Sequence, residues 1–253
     1  MLGKNLRTRH IQDSRTGKFL LVPMDHGITL GPVKGLRDIE RTITAVKAGG
    51  ASGVVVHKGI LPRLVGLDLH GLGLVVHLSA STTLNPDKYL KVNVSSVETA
   101  MSLGADAIST HTNFGNESES DMLADLGEVA DVCHSFGLPL LAMVYARGPA
   151  VKNAFDVGVV SHLARVAEET GADIIKTVYT GDVETYREVV EGVRAPVIIA
   201  GGDKVDSDEA LLKMVEGSLQ AGGAGVSVGR NIFQHQDPEA ITRQVYGLFH
   251  KNT

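Results

Sequence analysis

The sequence predicts a (β/α)8 barrel formed as one domain over residues 1–253, and three observations predict it. Eight short runs are apolar nearly throughout, as parallel strands buried on both faces require. Helical patterns lie between them, with apolar residues three and four apart. The joints from helix back to strand are alike along the whole chain, as repeated βα units would make them.

In chain order the strand runs are Phe19–Pro23, Gly53–Val56, Gly73–Val76, Ala105–Ile108, Pro139–Val144, Asp173–Ile175, Ala195–Ala200 and Gly222–Val228. Leu36, Ile39, Ile43 and Val46 set the helical period after the first run. Leu123, Leu126, Val129 and Val132 do so further on, followed by Val159, Leu163 and Val166, then Val183, Tyr186 and Val190, then Leu211, Val215 and Leu219. Helix starts are expected at Ser95 with Glu98 three residues on, at Asp182, and at Asp206 with Glu209. Ala48-Gly49-Gly50-Ala51, Leu103-Gly104-Ala105-Asp106, Thr170-Gly171-Ala172-Asp173 and Ala221-Gly222-Gly223-Ala224 each close a helix and open a strand. There glycine supplies the left-handed position that ends a helix. Phe136-Gly137-Leu138-Pro139 and Val193-Arg194-Ala195-Pro196 make the same joint with proline. A doubly wound open sheet is the competing architecture, but no Gly-x-Gly-x-x-Gly follows the first strand.

Composition narrows the function classes. A chain of 253 residues with 43% hydrophobic and 21% charged residues is an ordinary globular protein. Aromatic residues make up only 4% and Trp is absent, so the core is aliphatic. The formal net charge of −5 and the lack of a basic tail argue against nucleic acid as a partner. Cys133 is the sole cysteine; it fits a reducing compartment and lies on an apolar helix face, as a core residue would. Met1 to Ile11 is charged, with no secretory apolar region, and no run approaches the roughly 20 apolar residues of a membrane span. The expectation is a cytoplasmic protein with neither membrane nor nucleic-acid partners.

In such a barrel the chemistry sits at the C-terminal ends of the strands. The successive exits are Asp25-His26-Gly27, His57-Lys58-Gly59, His77, His111 with Asn113, Tyr145 with Arg147, Lys176 with Thr177, Gly201-Gly202, and Gly229-Arg230. Lys176 follows Ile174-Ile175 directly, and an ammonium enclosed by apolar side chains is costly, which favours the nucleophilic amine that a Schiff base needs. The competing reading pairs Lys176 with a carboxylate such as Asp25. Lys58 competes for the same role but begins a loop, where lysine reaches water. Asp25 and Tyr145 are candidates for proton transfer, against plain turn and packing roles. Gly201-Gly202 and Gly229-Arg230 occupy the habitual phosphate position of the fold, beside a short helix expected at Asn231–Phe233. His57, His77 and His111 would suit a metal, but no His-x-His pair or carboxylate cluster accompanies them.

Taken together, these residues resemble the archaeal-type class I aldolases, the DeoC/FbaB-like family. The likeness covers nearly the whole chain and is strongest at Val22-Pro23-Met24-Asp25-His26-Gly27, Gly31-Pro32-Val33-Lys34-Gly35, His57-Lys58-Gly59, Ile175-Lys176-Thr177, Ala200-Gly201-Gly202 and Val228-Gly229-Arg230-Asn231-Ile232-Phe233-Gln234-His235. The resemblance implies that Lys176 forms the Schiff base, Tyr145 donates a proton and Asp25 accepts one. It implies that Asp25, His26, Gly27, Ile28, Thr29, Tyr145, Ala146, Arg147, Lys176, Gly201, Gly202, Gly229 and Arg230 hold a phosphorylated substrate, with no metal and no cofactor. Two branches are similar. The 2-amino-3,7-dideoxy-D-threo-hept-6-ulosonate type transfers a ketone fragment from a deoxy-diulose phosphate to aspartate semialdehyde, on a route to aromatic amino acids. The other condenses dihydroxyacetone phosphate with the same aldehyde for aminohydroxybenzoate synthesis. Family members resemble rings of five, often doubled, so a homo-oligomer (pentamer or decamer) is implied.

Two positions depart from the family pattern. Its usual Tyr-Pro-Arg-Gly is here Tyr145-Ala146-Arg147-Gly148, which loosens the loop beside the expected proton donor. The fructose-bisphosphate aldolases of the family carry Trp two residues before that Tyr, where this chain has Met143, which favours the heptulosonate-type branch. The alternatives are a class I fructose-bisphosphate aldolase, a thiolase-like member using coenzyme A, a metal-dependent barrel hydrolase built on the histidines, and a sugar-phosphate-binding barrel without catalysis.

Overall fold

The computed structural model describes residues 1–204 and 207–250. Eight parallel strands close into a barrel: β1 (Phe19–Pro23), β2 (Gly53–Val56), β3 (Gly73–His77), β4 (Ala107–Phe114), β5 (Leu140–Ala146), β6 (Ile174–Thr177), β7 (Val197–Ala200) and β8 (Gly225–Ser227). Each strand pairs with the next in sequence, and β8 pairs with β1 to close the ring. This is the barrel that the apolar runs predict.

Alternate residues divide between two apolar layers, as the period of a strand dictates. Phe19, Leu21, Val55, Val75, Ala107, Leu141, Met143, Ile174 and Ile198 fill the interior. Leu20, Val22, Val54, Val56, Val76, Ile108, Val144, Ile175, Ile199 and Val226 face the surrounding helices. Those helices are Ile39–Ala48, Val97–Ser102, Glu119–Phe136, Val157–Glu169, Val183–Glu191, Asp208–Gln220 and Pro238–Leu248. Cys133 is fully buried in the outer layer, and burial pushes its thiol up to about 12. Among the described residues no helix is long and apolar enough to cross a membrane.

The repeated joints work as their glycines suggest. Gly50, Gly104, Gly171 and Gly222 all have positive φ. The next N–H reaches back five residues, as in Ala51 to Val46 O at 3.0 Å and Ala172 to Ala167 O at 3.0 Å, which satisfies a helix-end carbonyl. At the seam of the barrel Gly225 (φ 144) is irreplaceable for a second reason: a Cβ there would collide with the backbone oxygen of Phe19.

Several boundaries differ from expectation. β4 runs on to Phe114 because Thr110, Thr112 and Asn113, although polar, are buried and paired with β5 up to Phe114↔Ala146. His111 and Tyr145 therefore lie within strands rather than just beyond them, while Lys176 lies within β6 as expected. Leu36 precedes its helix, which Asp38 caps by accepting from Arg41 N at 3.1 Å. The cap of Val97–Ser102 is Ser96, not Ser95: Ser96 Oγ accepts from Thr99 N at 3.1 Å. Asp182 is a cap as expected, accepting from Thr185 N. The expected start at Asp206 lies outside the described residues, and Ser207 caps the helix Asp208–Gln220. The short helix after β8 is Arg230–Phe233.

Several elements have no counterpart among the expected ones, among them the helix Pro238–Leu248 and the 3-10 turn Leu61–Leu64. Helix Leu2–His10 lies under the barrel, tied by Lys4 to Asp173 at 2.6 Å and by His10 to Asp106 at 2.7 Å, and Ile11 enters the interior layer. After β3 the chain makes an antiparallel ribbon from Ser79–Ala80 and Val92–Asn93.

The cap position gives a direct check. Ser96→Ala is expected to lower unfolding stability by about 1 kcal/mol in urea titration, the usual cost of losing such a cap, whereas Ser95→Ala should leave the midpoint unchanged.

Candidate active site

A cavity of about 420 Å³ opens at the C-terminal ends of the strands. Its wall brings together Asp25, His26, Thr29, Tyr145, Ala146, Arg147, Lys176, Gly201, Gly202, Gly229 and Arg230 from the expected set. Gly27 and Ile28 do not line it. Residues Gly27–Leu30 form a single helical turn, which puts Thr29 and Leu30 on the cavity and leaves Ile28 partly exposed to solvent. Lys58 points elsewhere and donates to Val94 O at 2.6 Å.

Lys176 is the third residue of β6, in register with Met143 of β5 and Ile198 of β7. Its side chain is buried, and Nζ lies 3.8 Å from Met143 Sδ. Among the described residues it forms no ion pair, so pairing with Asp25 is not what holds it.

Asp25 sits just beyond β1 with Oδ1 3.2 Å from His26 Nδ1 and Oδ2 3.6 Å from His77 Nε2. Burial alone would raise its pKa. The His26 contact, then the positive potential of His77, His26 and Lys176, outweighs burial and holds the carboxyl far below the usual carboxylate range. Asp25 is thus an ionised carboxylate inside the cavity.

The three buried histidines each engage a separate neighbour. His57 Nδ1 donates to His77 O at 3.0 Å, a tautomer fixed because a carbonyl only accepts. His77 Nδ1 meets Ser109 Oγ at 2.8 Å, and burial pushes its pKa down to about 4, partly opposed by Asp25. His111 Nε2 meets Asn113 Oδ1 at 2.8 Å while Asn113 Nδ2 donates to Tyr89 O, so the amide oxygen is the acceptor and Nε2 carries the proton. Burial also lowers the pKa of His57 and His111. Among the described residues no group of three His, Cys, Asp or Glu side chains is arranged to hold a metal ion.

Tyr145 stands beside this group. Its ring lies 4.9 Å from that of His111, and the Arg147 guanidinium carbon is 4.6 Å from its centroid. At the opposite side, the β7 and β8 exits fit together only because they are glycines. A Cβ on Gly201 would come within 2.8 Å of Val228 Cγ1, and one on Gly229 within 2.7 Å of His26 Cε1. Arg230 bridges the two exits, donating to Gly202 O at 2.9 Å and to Asp203 Oδ1 at 2.7 Å. Asn231 Nδ2 donates to Gly201 O at 3.0 Å.

Sequence reasoning missed Lys91 and Ser227, both on the cavity wall. Lys91 closes the excursion that carries the ribbon and donates to Ser81 Oγ at 2.5 Å. The signal was length: between β3 and the helix Val97–Ser102 the connection is far longer than the usual 2–6 residues, and such loops tend to be functional. Ser227 gave no signal, because a serine inside a buried strand reads as core.

Comparison with known proteins agrees with this geometry. Residues 19–235 match the family model described as DeoC/LacD family aldolase. The chain is 46% identical over 248 residues to the 2-amino-3,7-dideoxy-D-threo-hept-6-ulosonate synthase of Halobacterium salinarum, covering 98% of this chain and 92% of that protein. It is 38% identical to the 2-amino-4,5-dihydroxy-6-oxo-7-(phosphonooxy)heptanoate synthase of Streptomyces griseus, covering 98% and 91%. Among solved structures it superposes with a TM-score of 0.89, at 33% identity over 97% of this chain and 99% of the other, on an archaeal fructose-1,6-bisphosphate aldolase whose catalytic lysine is covalently bound to the carbinolamine intermediate of its substrate. The match to the family model over most of the chain and the full-length relatives agree with the barrel and its buried lysine: this chain belongs to the DeoC/LacD family of aldolases.

Proposed function

We propose that the chain is a Schiff-base aldolase or transaldolase that joins a phosphorylated, ketose-derived fragment to aspartate semialdehyde, with Lys176 as the nucleophile. One observation carries the reading. A lysine Nζ lies buried at the cavity wall, beside a thioether and with no ion-pair partner among the described residues, in the same cavity as an ionised carboxylate and a phenol. The names of the two relatives support the acceptor, since both products are seven-carbon 2-amino acids, and the Streptomyces griseus product also carries a phosphate at the far end, which supports a phosphorylated donor.

In this mechanism the amine of Lys176 adds to the donor ketone, and loss of water leaves an iminium. The iminium draws electrons from the adjacent carbon. Asp25 takes the proton whose loss gives the enamine, from a hydroxyl when a C–C bond breaks or from carbon when dihydroxyacetone phosphate is the donor. The enamine carbon attacks the acceptor aldehyde, Tyr145 protonates the new alkoxide, and water releases the product and restores the amine. Gly201-Gly202 and Gly229-Arg230 hold the donor phosphate through backbone N–H groups and the guanidinium. Met143, touching Nζ where the fructose-bisphosphate branch has Trp, favours this reading over that activity. The same reading makes residues 1–253 one catalytic domain and the protein a cytoplasmic homo-oligomer, whose size sedimentation velocity would report.

Borohydride in the presence of dihydroxyacetone phosphate or the deoxy-diulose phosphate is expected to leave a reduced adduct on Lys176 by peptide mass spectrometry, and Lys176→Ala to abolish it. Product analysis with aspartate semialdehyde and each donor, fructose bisphosphate included, decides the branch; cleavage of fructose bisphosphate alone would reverse the assignment. Tyr145→Phe should lower kcat by roughly 10²–10⁴-fold, the range for losing a general acid. Stability should also be acid-sensitive. His77 titrates near 4 in the folded chain against about 6.5 unfolded, so the unfolded chain takes up the proton first. Stability attributable to this group is full above pH 6.5 and falls by about 3 kcal/mol as pH drops to 4. Urea midpoints at pH 7.5 and 4.5 read the effect, and the fall should be smaller in His77→Asn.

A further inference from the structure

We infer that Lys91, together with Arg147, forms a second anion seat in the cavity, and that it takes the carboxylate of the acceptor aldehyde. The inference rests on the Schiff-base aldolase reading above and adds to it the group that recognises the acceptor.

The strand order places this seat. Lys91 comes from the excursion after β3 and Arg147 from the end of β5, whereas Gly201-Gly202 and Gly229-Arg230 lie at the ends of β7 and β8. In an eight-strand ring β3 stands opposite β7, and β4, which lies between β3 and β5, stands opposite β8, so a seat built from the β3 and β5 sides faces the β7 and β8 exits across the mouth. Lys176 on β6 lies between them on one side of the ring and Asp25 after β1 on the other. A substrate held by an anion at each end would run past both.

Counter-charge separates the two ends. Arg230 is already joined to Asp203 at 2.7 Å. Lys91 donates to a hydroxyl, Ser81 Oγ, and Arg147 lies over the Tyr145 ring; among the described residues neither forms an ion pair. Burial lowers the pKa of Lys91, and repulsion from Arg147 lowers it further, so the two cations oppose each other in a partly dry setting that an anion would relieve. The position of Lys91 is set by its surroundings. Ser79 Oγ pins the ribbon to β4 through Thr110 Oγ1 at 2.7 Å and His111 N at 3.0 Å, and Thr29 Oγ1 holds Ser81 O at 2.9 Å.

The acceptor in the reading above carries a carboxylate as its anionic group, and a planar carboxylate suits the fork of a guanidinium.

The test compares wild type with Lys91→Gln, Lys91→Met and the conservative Lys91→Arg, using the donor that labels Lys176. The acceptors are aspartate semialdehyde, 3-aminopropanal (the same chain without its carboxylate) and glyceraldehyde 3-phosphate. The expected result is a fall in kcat/KM for aspartate semialdehyde of roughly 10- to 100-fold in the Gln and Met variants, expressed mainly in KM, as for loss of a hydrogen bond to a charged group. The preference over 3-aminopropanal should shrink by the same factor, and Lys91→Arg should restore most of it, which a merely structural lysine would not produce. An unchanged preference in the Gln and Met variants overturns the inference, and so does a dependence on Lys91 seen only with glyceraldehyde 3-phosphate. Absence of any donor adduct on wild-type Lys176 is a different failure: it overturns the aldolase reading itself, and the acceptor seat with it.

Discussion

Phe19 N–H donates to Ala224 O at 3.0 Å and Val228 N–H donates to Leu21 O at 3.1 Å; with the β1–β8 register between them, these bonds join the first strand to the last. Everything at the mouth depends on that seam. Asp25 belongs to the first strand exit and Gly229-Arg230 to the last, more than 200 residues later, yet Gly229 packs so closely on His26 and Pro23 that no side chain fits between them. Asp25 and the glycine-rich end of the cavity are neighbours only in the closed ring. Gly225 makes closure possible, since any larger residue would strike Phe19.

The second constraint is electrostatic. Burying Asp25 would by itself favour the neutral acid, and burying three histidines favours their neutral forms. The histidines yield to burial, whereas the carboxylate does not, because His26, His77 and Lys176 surround it. The cavity therefore holds an ionised carboxylate beside buried imidazoles, and His57, His77 and His111 each have a hydrogen-bond partner on the neighbouring backbone or side chains. Such an arrangement holds a preorganised negative charge inside the cavity, where a cationic iminium on Lys176 would be stabilised.

The fold was legible because strands buried on both faces leave unbroken apolar runs, and because Gly50, Gly104, Gly171 and Gly222 mark successive joints. The strand ends were less legible. Thr110, Thr112 and Asn113 look like loop residues, yet they remain in β4 since their polar groups find partners: Ser79 for Thr110, the Met122 carbonyl of the next helix for Thr112 and the Tyr89 carbonyl for Asn113. Most of the cavity wall was legible from the residues at the far end of each apolar run, Lys176 above all. Lys91 was not, for a physical reason: it reaches the cavity from a ribbon whose two-residue strands are too short to leave a period. Ser95 and Ser96 show the limit at the scale of one residue, where two adjacent serines offer the same capping chemistry and only the backbone, extended at Ser96, decides between them.

The short helix Leu2–His10 and the residue after it give the barrel a closed base. Ile11 is fully buried among the interior side chains, and His10 O crowds Gly73 so tightly that a methyl group there would lie 2.5 Å away. With this stopper below and the aliphatic layers above it, the barrel is a one-ended vessel. Lys176 opens onto the cavity at the upper end, so a bound substrate that fills that cavity also controls when water there can hydrolyse the covalent intermediate.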